Sequence, residues 1–526
     1  MKGLPAETDF VVIGGGVAGL RAAIELAAAG RVLIVCKKEL PWPAAPGHGH
    51  STPGFEDPPL SDEDEVTLHL QDTLSAGDGL CQADAAKILV EEGVERIEEL
   101  VAWAAHSGQH STKMIFGREG AQLHNRVFHA QGESTGKEIL QALAAKTHSL
   151  KHIAAAPFAF TTGLLSDGGR IMGVSLMDEK GVPQDIACSA VLLATGGMGQ
   201  LYRSTTNPEA ATADGVALAV RAGAEAGDME FIQFQPTVLY VKKAPRFLLP
   251  DTLLAEGACL RNFELDRFMG KYHPLAELAP LHVVSRAIMH EMEVSRAKDP
   301  FVYLDLTHLS AAKVQKRFPR IYATLMQRNL DITEDLIPVR PAAHFAVGGV
   351  RTDLDGRTNI AGLYAAGEAA ASGVHGANRL PSNALLEGLV FGARAGQAMR
   401  QELRTSARPA TPPKAAYSNG PVDTVAEETI ATIQDLMWNE VGIVRIRMGM
   451  SKAIKTLEEM APRLSHPRTR RAHEAANLRL AGLLVARSAL AREESRGAHY
   501  RIDYPDHDDR RFLKHSVVKG DVVRFL

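Results

Sequence analysis

Cysteine is scarce in this chain: its 526 residues include four, and no two of them form a CxxC pair. Cys36, Cys81, Cys188 and Cys259 lie far apart in the sequence, which argues against a disulfide framework and against a cysteine-ligated metal site. We expect reduced thiols in the protein core and no bound metal.

The chain also lacks a long hydrophobic run and an excess of charge of either sign. Its 58 basic and 62 acidic side chains give a formal net charge of −4, which provides no electrostatic attraction for nucleic acid or for an anionic membrane. No apolar stretch approaches the roughly 20 residues that span a bilayer, and the first ten residues contain no apolar signal core. We expect a cytoplasmic protein of roughly two to four domains, without nucleic acid or membrane as a partner.

The N-terminal segment has the pattern of strand, helix and strand, over residues 10–14, 17–29 and 32–36. Gly14-x-Gly16-x-x-Gly19 lies between the first strand and the helix. In such a turn the first glycine permits the tight bend, the second lets the backbone approach a pyrophosphate, and the third permits close helix–strand packing. The helix N-terminus then faces the phosphate charge. The pattern predicts a dinucleotide site; the alternative is a glycine-rich turn that fits it by chance.

The second strand is followed by Cys36-Lys37-Lys38. An NAD site of the usual kind has an acidic residue here, which holds a ribose hydroxyl, so its absence makes NAD less favoured. Lys37 is a candidate nucleotide contact, and a solvated lysine is an equally good interpretation.

A second glycine-rich segment, residues 362–387, favours a flavin. It has the form of a strand, then Gly367-Glu368, then a loop that opens a helix at Ser382-Asn383. The Glu368 carboxylate can accept a hydrogen bond from a ribose or ribitol hydroxyl, and the helix start can face the isoalloxazine. Arg379 is suited to binding a carboxylate through two parallel hydrogen bonds.

Further candidate cofactor residues come from three places along the chain. A buried strand over 186–195 ends in Gly196-Gly197, and an alanine-rich helix over 212–226 begins near Asp214. Leu385 lies in the helix that follows Ser382-Asn383.

The remaining chain divides by composition. Residues 62–106 have a helical period, 228–340 have a mixed composition that suggests a substrate-covering domain, and 405–421 form a Pro/Ala/Ser-rich linker. Beyond the linker, residues 424–440, 442–462 and 467–494 each carry a helical period, which predicts a three-helix bundle.

Several segments together resemble the succinate dehydrogenase/fumarate reductase flavoprotein superfamily. They are LLATGGMGQLYRSTTNPEAATADG (192–215), DMEFIQFQPTVLY (228–240), PAAHFAVGGVRTDLDGRTNIAGLYAAGE (341–368), HGANRLPSN (375–383), MWNEVGIVR (437–445) and ESRGAHYRIDYP (494–505). Within the superfamily they are most similar to the L-aspartate oxidases.

The resemblance implies an α/β + α protein with non-covalently bound FAD. Its parts would be a bipartite Rossmann-like FAD-binding domain (1–227 and 344–404), an inserted α+β capping domain (228–343), a linker (405–421) and a C-terminal helical domain (422–526). It also implies hydride transfer from the Cα of L-aspartate to flavin N5, which gives iminosuccinate, and flavin reoxidation by oxygen or fumarate. That reaction begins quinolinate and NAD biosynthesis, so association with a quinolinate-synthesis enzyme is an expected partnership.

Three residues occupy positions where the family places substrate contacts. Arg379 and His344 would bind the substrate carboxylates, and Glu119 would meet the substrate ammonium group. The alternatives are a structural Arg–Glu pair for Arg379, a satisfied core histidine for His344 and a solvated acid for Glu119.

Five positions depart from the family pattern. Gln235 replaces a histidine, Pro250 a threonine or serine, Leu254 and Leu281 arginines, and Ala384 a serine. The arginine expected at position 281 is a substrate contact and the proposed proton donor in fumarate reduction. His282 beside it is a weak replacement, because its side chain should point elsewhere.

The flavin-side loop also departs from the family, since residues 43–54 are rich in Pro, Gly and His. His48 and His50 raise the alternative of covalent FAD, although the local motif does not match that of subunits with a covalent bond.

Three hypotheses therefore stay open. The protein is an L-aspartate oxidase-like enzyme with impaired or altered activity, a catalytically retired FAD-binding partner protein, or a flavin oxidoreductase for a different carboxylic acid.

Overall fold

In the computed structural model of the chain, the described residues are 4–40, 55–56, 63–106, 114–117, 127–130, 135–242, 246–405 and 425–526. The strands are β1 Phe10–Ile13, β2 Val32–Cys36, β3 Phe55–Glu56, β4 Met114–Gly117, β5 Val127–Ala130, β6 Ile153–Pro157, β7 Phe160–Asp167, β8 Arg170–Met177, β9 Pro183–Ala187, β10 Ala190–Leu193, β11 Ala226–Gly227, β12 Ile232–Leu239, β13 Cys259–Arg261, β14 Val302–Asp305, β15 Ile337–Ala346, β16 Gly349–Arg351, β17 Leu363–Ala365, β18 Ala370–Ala371, β19 Ser516–Lys519 and β20 Val522–Phe525.

The helices alternate with these strands and then dominate the C-terminal part. They are α1 Val17–Leu26, α2 Glu63–Ala76, α3 Ala83–His106, α4 Thr135–His148, α5 Asp214–Arg221, α6 Thr252–Ala255, α7 Leu281–Val294, α8 Ala311–Arg317, α9 Pro319–Met326, α10 Asn383–Thr405, α11 Ala426–Glu440, α12 Arg447–Glu459, α13 Arg470–Ala491 and α14 Asp509–Phe512. None of the helices in these ranges combines the length and the apolar character needed to cross a bilayer.

A five-stranded parallel sheet joins the two glycine-rich segments. Its strand order is β17-β10-β1-β2-β6, and every neighbouring pair is parallel. Strands β1 and β10 are completely buried, as expected for a parallel sheet with both faces covered. The downstream strand β17 lies directly beside β10, so residues about 350 positions apart in the sequence end at the same edge of one sheet.

Helix α10 of the downstream segment packs closely on α1 of the N-terminal segment. Gly392 makes this possible, because a Cβ there would lie 2.7 Å from the backbone oxygen of Ala18. This contact brings the start of α10 next to the Gly14–Gly19 turn.

The other sheets are mixed or antiparallel. Strands β12, β15, β14 and β13 form an antiparallel sheet in that order, and α7 packs on β12. A separate hydrophobic core lies between this sheet and the helices of residues 252–326. Strands β7, β8 and β9 form a smaller antiparallel sheet.

The three helices expected after residue 424 are confirmed as α11, α12 and α13, which pack on one another. The C-terminal segment also contains the β19–β20 hairpin over residues 516–525, which the sequence did not predict. Strand β19 pairs with β11, almost 300 residues earlier in the chain. Short strands of this kind depend on a distant partner, so local sequence carries little signal for them.

Two predicted elements are shorter than expected. The helix expected over 212–226 spans Asp214–Arg221 because Gly223 adopts φ +93° and the chain then enters β11. The helical stretch expected over 62–106 is two helices, separated where Asp78 and Gly79 both have positive φ.

Candidate active site

A cavity of about 720 Å³ lies at the carboxyl edge of the parallel sheet. Its walls include the residues that follow four of the strands: 14–16 after β1, 36–38 at the end of β2, 194–197 after β10, and 366–368 after β17. Ligands of open parallel sheets bind at this edge, and the volume lies within the range of small-molecule sites.

The Gly14–Gly19 turn has the geometry that a bound pyrophosphate requires. Gly14 has φ +118°, and a Cβ at this position would lie 2.0 Å from the backbone oxygen of Ala194. Gly16, the N-cap of α1, lines the cavity, and a Cβ there would meet no atom within 4 Å. Its backbone and the helix N-terminus can therefore approach a phosphate directly.

Gly19 packs against the turn and does not line the cavity. A Cβ on Gly19 would lie 2.1 Å from the backbone oxygen of Gly14. This close approach holds α1 against the turn, as the spacing of the glycines predicts.

Glu368 is a half-buried residue of the cavity wall whose carboxyl group faces Gly197. The Ala346 amide donates to its Oε1 at 3.0 Å, and a Cβ on Gly197 would lie 2.1 Å from the same oxygen. Burial raises the pKa of Glu368 to about 7, although the Ala346 amide and the charge of Arg379 both lower it. A half-buried carboxyl group on the cavity wall with so few protein donors fits a ligand that supplies hydroxyl groups, as FAD does.

The start of α10 contributes to the cavity unevenly. Ala384 and Leu385 line it, whereas Ser382 and Asn383 do not. The Asn383 side chain lies 2.8 Å from His69 Nε2 and donates to Thr73, which directs it into the protein.

Ser382 differs from its neighbour because its hydroxyl is buried without a partner. Its side chain is 1% exposed, and Oγ has no hydrogen bond to any residue that the structure describes. Buried hydroxyls of this kind are normally satisfied, and because Ser382 does not line the cavity, its contact with the cofactor stays a prediction.

Lys37 lines the cavity but directs its ammonium group at the protein. Nζ donates to Thr212 at 2.6 Å, Asp214 at 2.6 Å and Glu474 at 3.0 Å. An ammonium group has three N–H donors, so these acceptors use them all. Contact of Lys37 or Asp214 with a nucleotide therefore stays a prediction, and Glu474, on the C-terminal helix α13, was not anticipated.

Arg379 lines the cavity in a restrained position. Its Nε donates to Gln233 Oε1 at 3.1 Å, its guanidinium lies 4.1 Å from the centre of the Phe345 ring, and the residue is 2% exposed. Gln233 also donates to the Arg379 backbone oxygen at 2.8 Å. The stacked, doubly anchored guanidinium lines the cavity and is preorganised for a carboxylate.

His344 lines the same cavity from strand β15. Its Nδ1 lies 2.7 Å from Thr206 Oγ1, and its backbone oxygen accepts from Nδ2 of the Asn207 side chain at 2.5 Å. Burial, and then the positive charge of Arg379, lower the pKa of His344 to about 3. The imidazole is therefore neutral at physiological pH, and it can donate a hydrogen bond from one nitrogen only.

The other residues considered from the sequence do not line the cavity in the described part of the chain. Glu119, His48 and His50 lie outside the described residues. His282 does not line the cavity, and burial followed by the charge of Arg286 lowers its pKa to about 4.

The positions that depart from the family pattern do not all share this cavity. Ala384 lines it, whereas Gln235, Pro250, Leu254 and Leu281 do not. Leu254 is 3% exposed and belongs to the hydrophobic core beneath the β12–β15 sheet, and Leu281 is the first residue of α7. The five changed positions therefore do not cluster on this cavity.

Comparisons with known proteins agree with this geometry. The sequence matches the family described as "FAD binding domain" over residues 9–385 and that described as "Fumarate reductase flavoprotein C-term" over residues 430–524. It is 40% identical to the L-aspartate oxidase of Streptomyces coelicolor, over 98% of this chain and 92% of the relative. It is 39% identical to L-aspartate oxidase 1 of Ralstonia nicotianae, over 94% and 95% of the two chains.

Solved structures show the same fold over the full length. E. coli quinol fumarate reductase FrdA superposes with a TM-score of 0.86 at 29% identity, covering 99% of this chain and 96% of that one. Mycobacterium smegmatis Sdh1 superposes with a TM-score of 0.84 at 29% identity, covering 99% and 94%. The chain therefore belongs to the L-aspartate oxidase family, within the FAD-binding flavoproteins of the succinate dehydrogenase and fumarate reductase superfamily.

Proposed function

We propose that this protein oxidises L-aspartate to iminosuccinate with non-covalently bound FAD. The observation that carries the proposal is that one cavity contains both the glycine turn for a dinucleotide and a buried arginine beside a neutral histidine. The Gly14–Gly19 turn and the cavity wall would hold FAD, and the cofactor would supply the acceptor for a hydride from the substrate Cα and the route for its electrons to oxygen or fumarate.

Arg379 binds one substrate carboxylate through its guanidinium. Stacking on Phe345 and the hydrogen bond to Gln233 restrict its rotation, so little conformational entropy is lost when the acid binds. Two parallel hydrogen bonds would also fix the orientation of the substrate carbon chain within the cavity.

His344 is proposed to donate a hydrogen bond to the substrate from Nε2. This requires the tautomer in which the Thr206 hydroxyl donates to Nδ1. A histidine with a pKa of about 3 is a poor general base at neutral pH, so His344 acts by positioning and polarising the acid. The role of Glu119 toward the substrate ammonium group stays a prediction.

The domain organisation proposed with this function follows the sheets. Residues 1–227 and 344–404 form a bipartite Rossmann-like FAD-binding domain, 228–343 an inserted capping domain, 405–421 a linker and 422–526 a C-terminal helical domain. The parallel order β17-β10-β1-β2-β6 and the α1–α10 packing support the bipartite arrangement.

Product identification tests the reaction. Purified holoenzyme with L-aspartate and oxygen should form hydrogen peroxide and oxaloacetate, the hydrolysis product of iminosuccinate, in equal amounts. D-aspartate and L-alanine serve as controls, because they have the wrong chirality at Cα or a single carboxylate. Peroxide formation with L-alanine but not with L-aspartate would favour an oxidoreductase for another acid, and absence of turnover with full FAD occupancy would favour a retired enzyme.

We also propose that the protein associates with a quinolinate-synthesis enzyme. Iminosuccinate is a reactive imine in water, which makes direct transfer to the next enzyme advantageous. Co-sedimentation of the two purified proteins during turnover tests this, and sedimentation as separate species at micromolar concentrations would refute it.

A further inference from the structure

Arg379 lies at the end of a buried backbone loop, residues 375–379, which we call the arginine loop. All five residues are buried, and the Asn378 amide donates to the His375 backbone oxygen at 3.2 Å, which closes a turn just before the arginine. Stacking and hydrogen bonding restrain the guanidinium itself, whereas the loop decides where the side chain begins. The contacts that hold this loop therefore bear on substrate binding.

The first of these contacts is with the turn between α2 and α3, residues 77–79. The Ala377 amide donates to the Gly77 backbone oxygen at 2.9 Å. A Cβ on Gly376 would lie 2.4 Å from the same oxygen, so the two backbones touch with no side chain between them. The arginine loop therefore follows the position of this turn.

The second contact is with residues 496–498, which we call the C-terminal segment. The Ala498 amide donates to the Ala377 backbone oxygen at 3.0 Å. Gly497 has φ +50°, and a Cβ on it would lie 2.4 Å from that oxygen. Ala377 is thus hydrogen-bonded through its amide to the α2–α3 turn and through its carbonyl to the C-terminal segment, and the arginine loop is held between the two.

Asp78 joins the α2–α3 turn to the C-terminal segment directly. Its Oδ2 accepts from the Gly497 amide at 2.7 Å, and its backbone oxygen accepts from Arg496 Nη1 at 3.0 Å. His507 Nε2 lies 3.2 Å from the same Oδ2. Asp78 has φ +51°, a left-handed conformation that a residue other than glycine keeps only where its surroundings hold it.

We propose that Asp78 is a positioning residue for substrate binding: it ties the α2–α3 turn to the C-terminal segment and so holds the arginine loop, and with it Arg379, where a substrate carboxylate binds. This inference rests on the proposed function, since the carboxylate belongs to the same acid. Asp78 does not line the cavity, so it acts through Arg379. A displacement of about 1 Å in a binding group can cost on the order of 100-fold, which makes such a distant contact measurable.

Titration of the oxidised holoenzyme with succinate tests the inference without turnover, with binding followed by the shift in the visible absorbance of the flavin. D78G removes the hydrogen-bond acceptor while glycine accepts the positive φ freely. Its Kd for succinate should rise at least tenfold, with FAD content per chain unchanged.

The conservative variant D78N should restore binding. Asparagine keeps an oxygen acceptor for the Gly497 amide and tolerates the left-handed region, so its Kd for succinate should stay within threefold of the wild type. This variant also separates the hydrogen bond from the negative charge of Asp78, which acts on Arg286 and His282 of α7.

Asp228 provides a matched control. It also has a left-handed backbone, with φ +57°. Its Oδ1 accepts from the Ser516 amide at 3.2 Å, and its Oδ2 lies 2.7 Å from His515 Nδ1. It therefore makes the same kind of contact with the C-terminal part of the chain, but its partners lie outside the arginine loop. D228G should lower the midpoint of urea unfolding, as D78G does, and bind succinate within threefold of the wild type.

G497A tests the contact from the other side and leaves Asp78 intact. The added Cβ would press on the Ala377 oxygen at a positive φ, so the Kd for succinate should again rise at least tenfold. This variant also serves where D78G holds too little FAD for the titration.

The outcomes separate this inference from the proposed function. If D78G or G497A binds succinate within threefold of the wild type, the positioning role is refuted and the proposed function is not. Equal losses in D228G and D78G would assign the effect to docking of the whole C-terminal part and refute the role of Asp78, and so would equal losses in D78N and D78G. If the wild-type holoenzyme does not bind succinate, the proposed function fails and the inference with it.

Discussion

Replacing Arg379 by methionine tests the carboxylate clamp most sharply. Methionine keeps much of the volume of the side chain, so contact with Phe345 is retained while the guanidinium is removed. Each hydrogen bond to a charged group contributes about 1.5–3 kcal/mol, so two parallel bonds give about 3–6 kcal/mol. The Kd for succinate, measured from the flavin absorbance, should therefore rise about 10²- to 10⁴-fold.

The same variant has a second consequence that a purely structural role would not produce. The charge of Arg379 contributes to the low pKa of His344. Removal of that charge should raise the pKa of His344 from about 3, although burial, the larger cause, persists. Proton NMR of the histidine resonances should detect this upward shift.

Arg394 supplies the control for loss of an arginine from the same region. It lies on α10, donates to Asp355 at 2.7 Å and to Glu92, and does not line the cavity. R394M should bind succinate like the wild type. If R379M keeps its flavin and binds succinate within threefold of the wild type, the clamp lies elsewhere and the account of the substrate site is refuted.

Three further predictions address the cofactor end of the cavity. G14A should lose FAD, because a Cβ on residue 14, whose φ is +118°, would lie 2.0 Å from the Ala194 backbone oxygen. The loss would be seen as a low ratio of absorbance at 450 nm to that at 280 nm. Normal FAD content would contradict the turn geometry. E474Q should lower the free energy of unfolding by about 3 kcal/mol in urea titrations, since Lys37 loses a buried counter-charge; an unchanged midpoint would show that the ion pair contributes nothing. In the apoprotein, the raised pKa of about 7 keeps folded Glu368 protonated at pH values where the unfolded chain has lost the proton. The free energy of unfolding should therefore fall as pH rises from about 4.5 to 7. E368Q should flatten this slope, and an identical slope in E368Q would refute the raised pKa.

Local patterns were sufficient to predict the cofactor scaffold. Residues close together in the sequence determine the turn from Gly14 to Gly19, namely the glycine spacing and the apolar run of β1. The structure confirms the strand, the turn and the helix. The helix that begins at Asn383 and the three helices after residue 424 have strong periods and were also predicted correctly.

Long-range pairings were not predictable from one sequence. The sequence leaves Lys37 as a candidate nucleotide contact or a solvated lysine, because nothing local indicates that Glu474, more than 400 residues later, accepts one of its hydrogen bonds. The β11–β19 pairing was missed for the same reason. Both depend on where the C-terminal segment docks, and that is decided by packing of the whole chain.

Anaerobic titration of the purified protein with L-aspartate tests the central claim most directly. The account predicts one FAD per chain and loss of the 450 nm flavin band on addition of L-aspartate, with no loss on addition of D-aspartate. A protein that binds no FAD, or whose FAD stays fully oxidised with excess L-aspartate, would contradict the account.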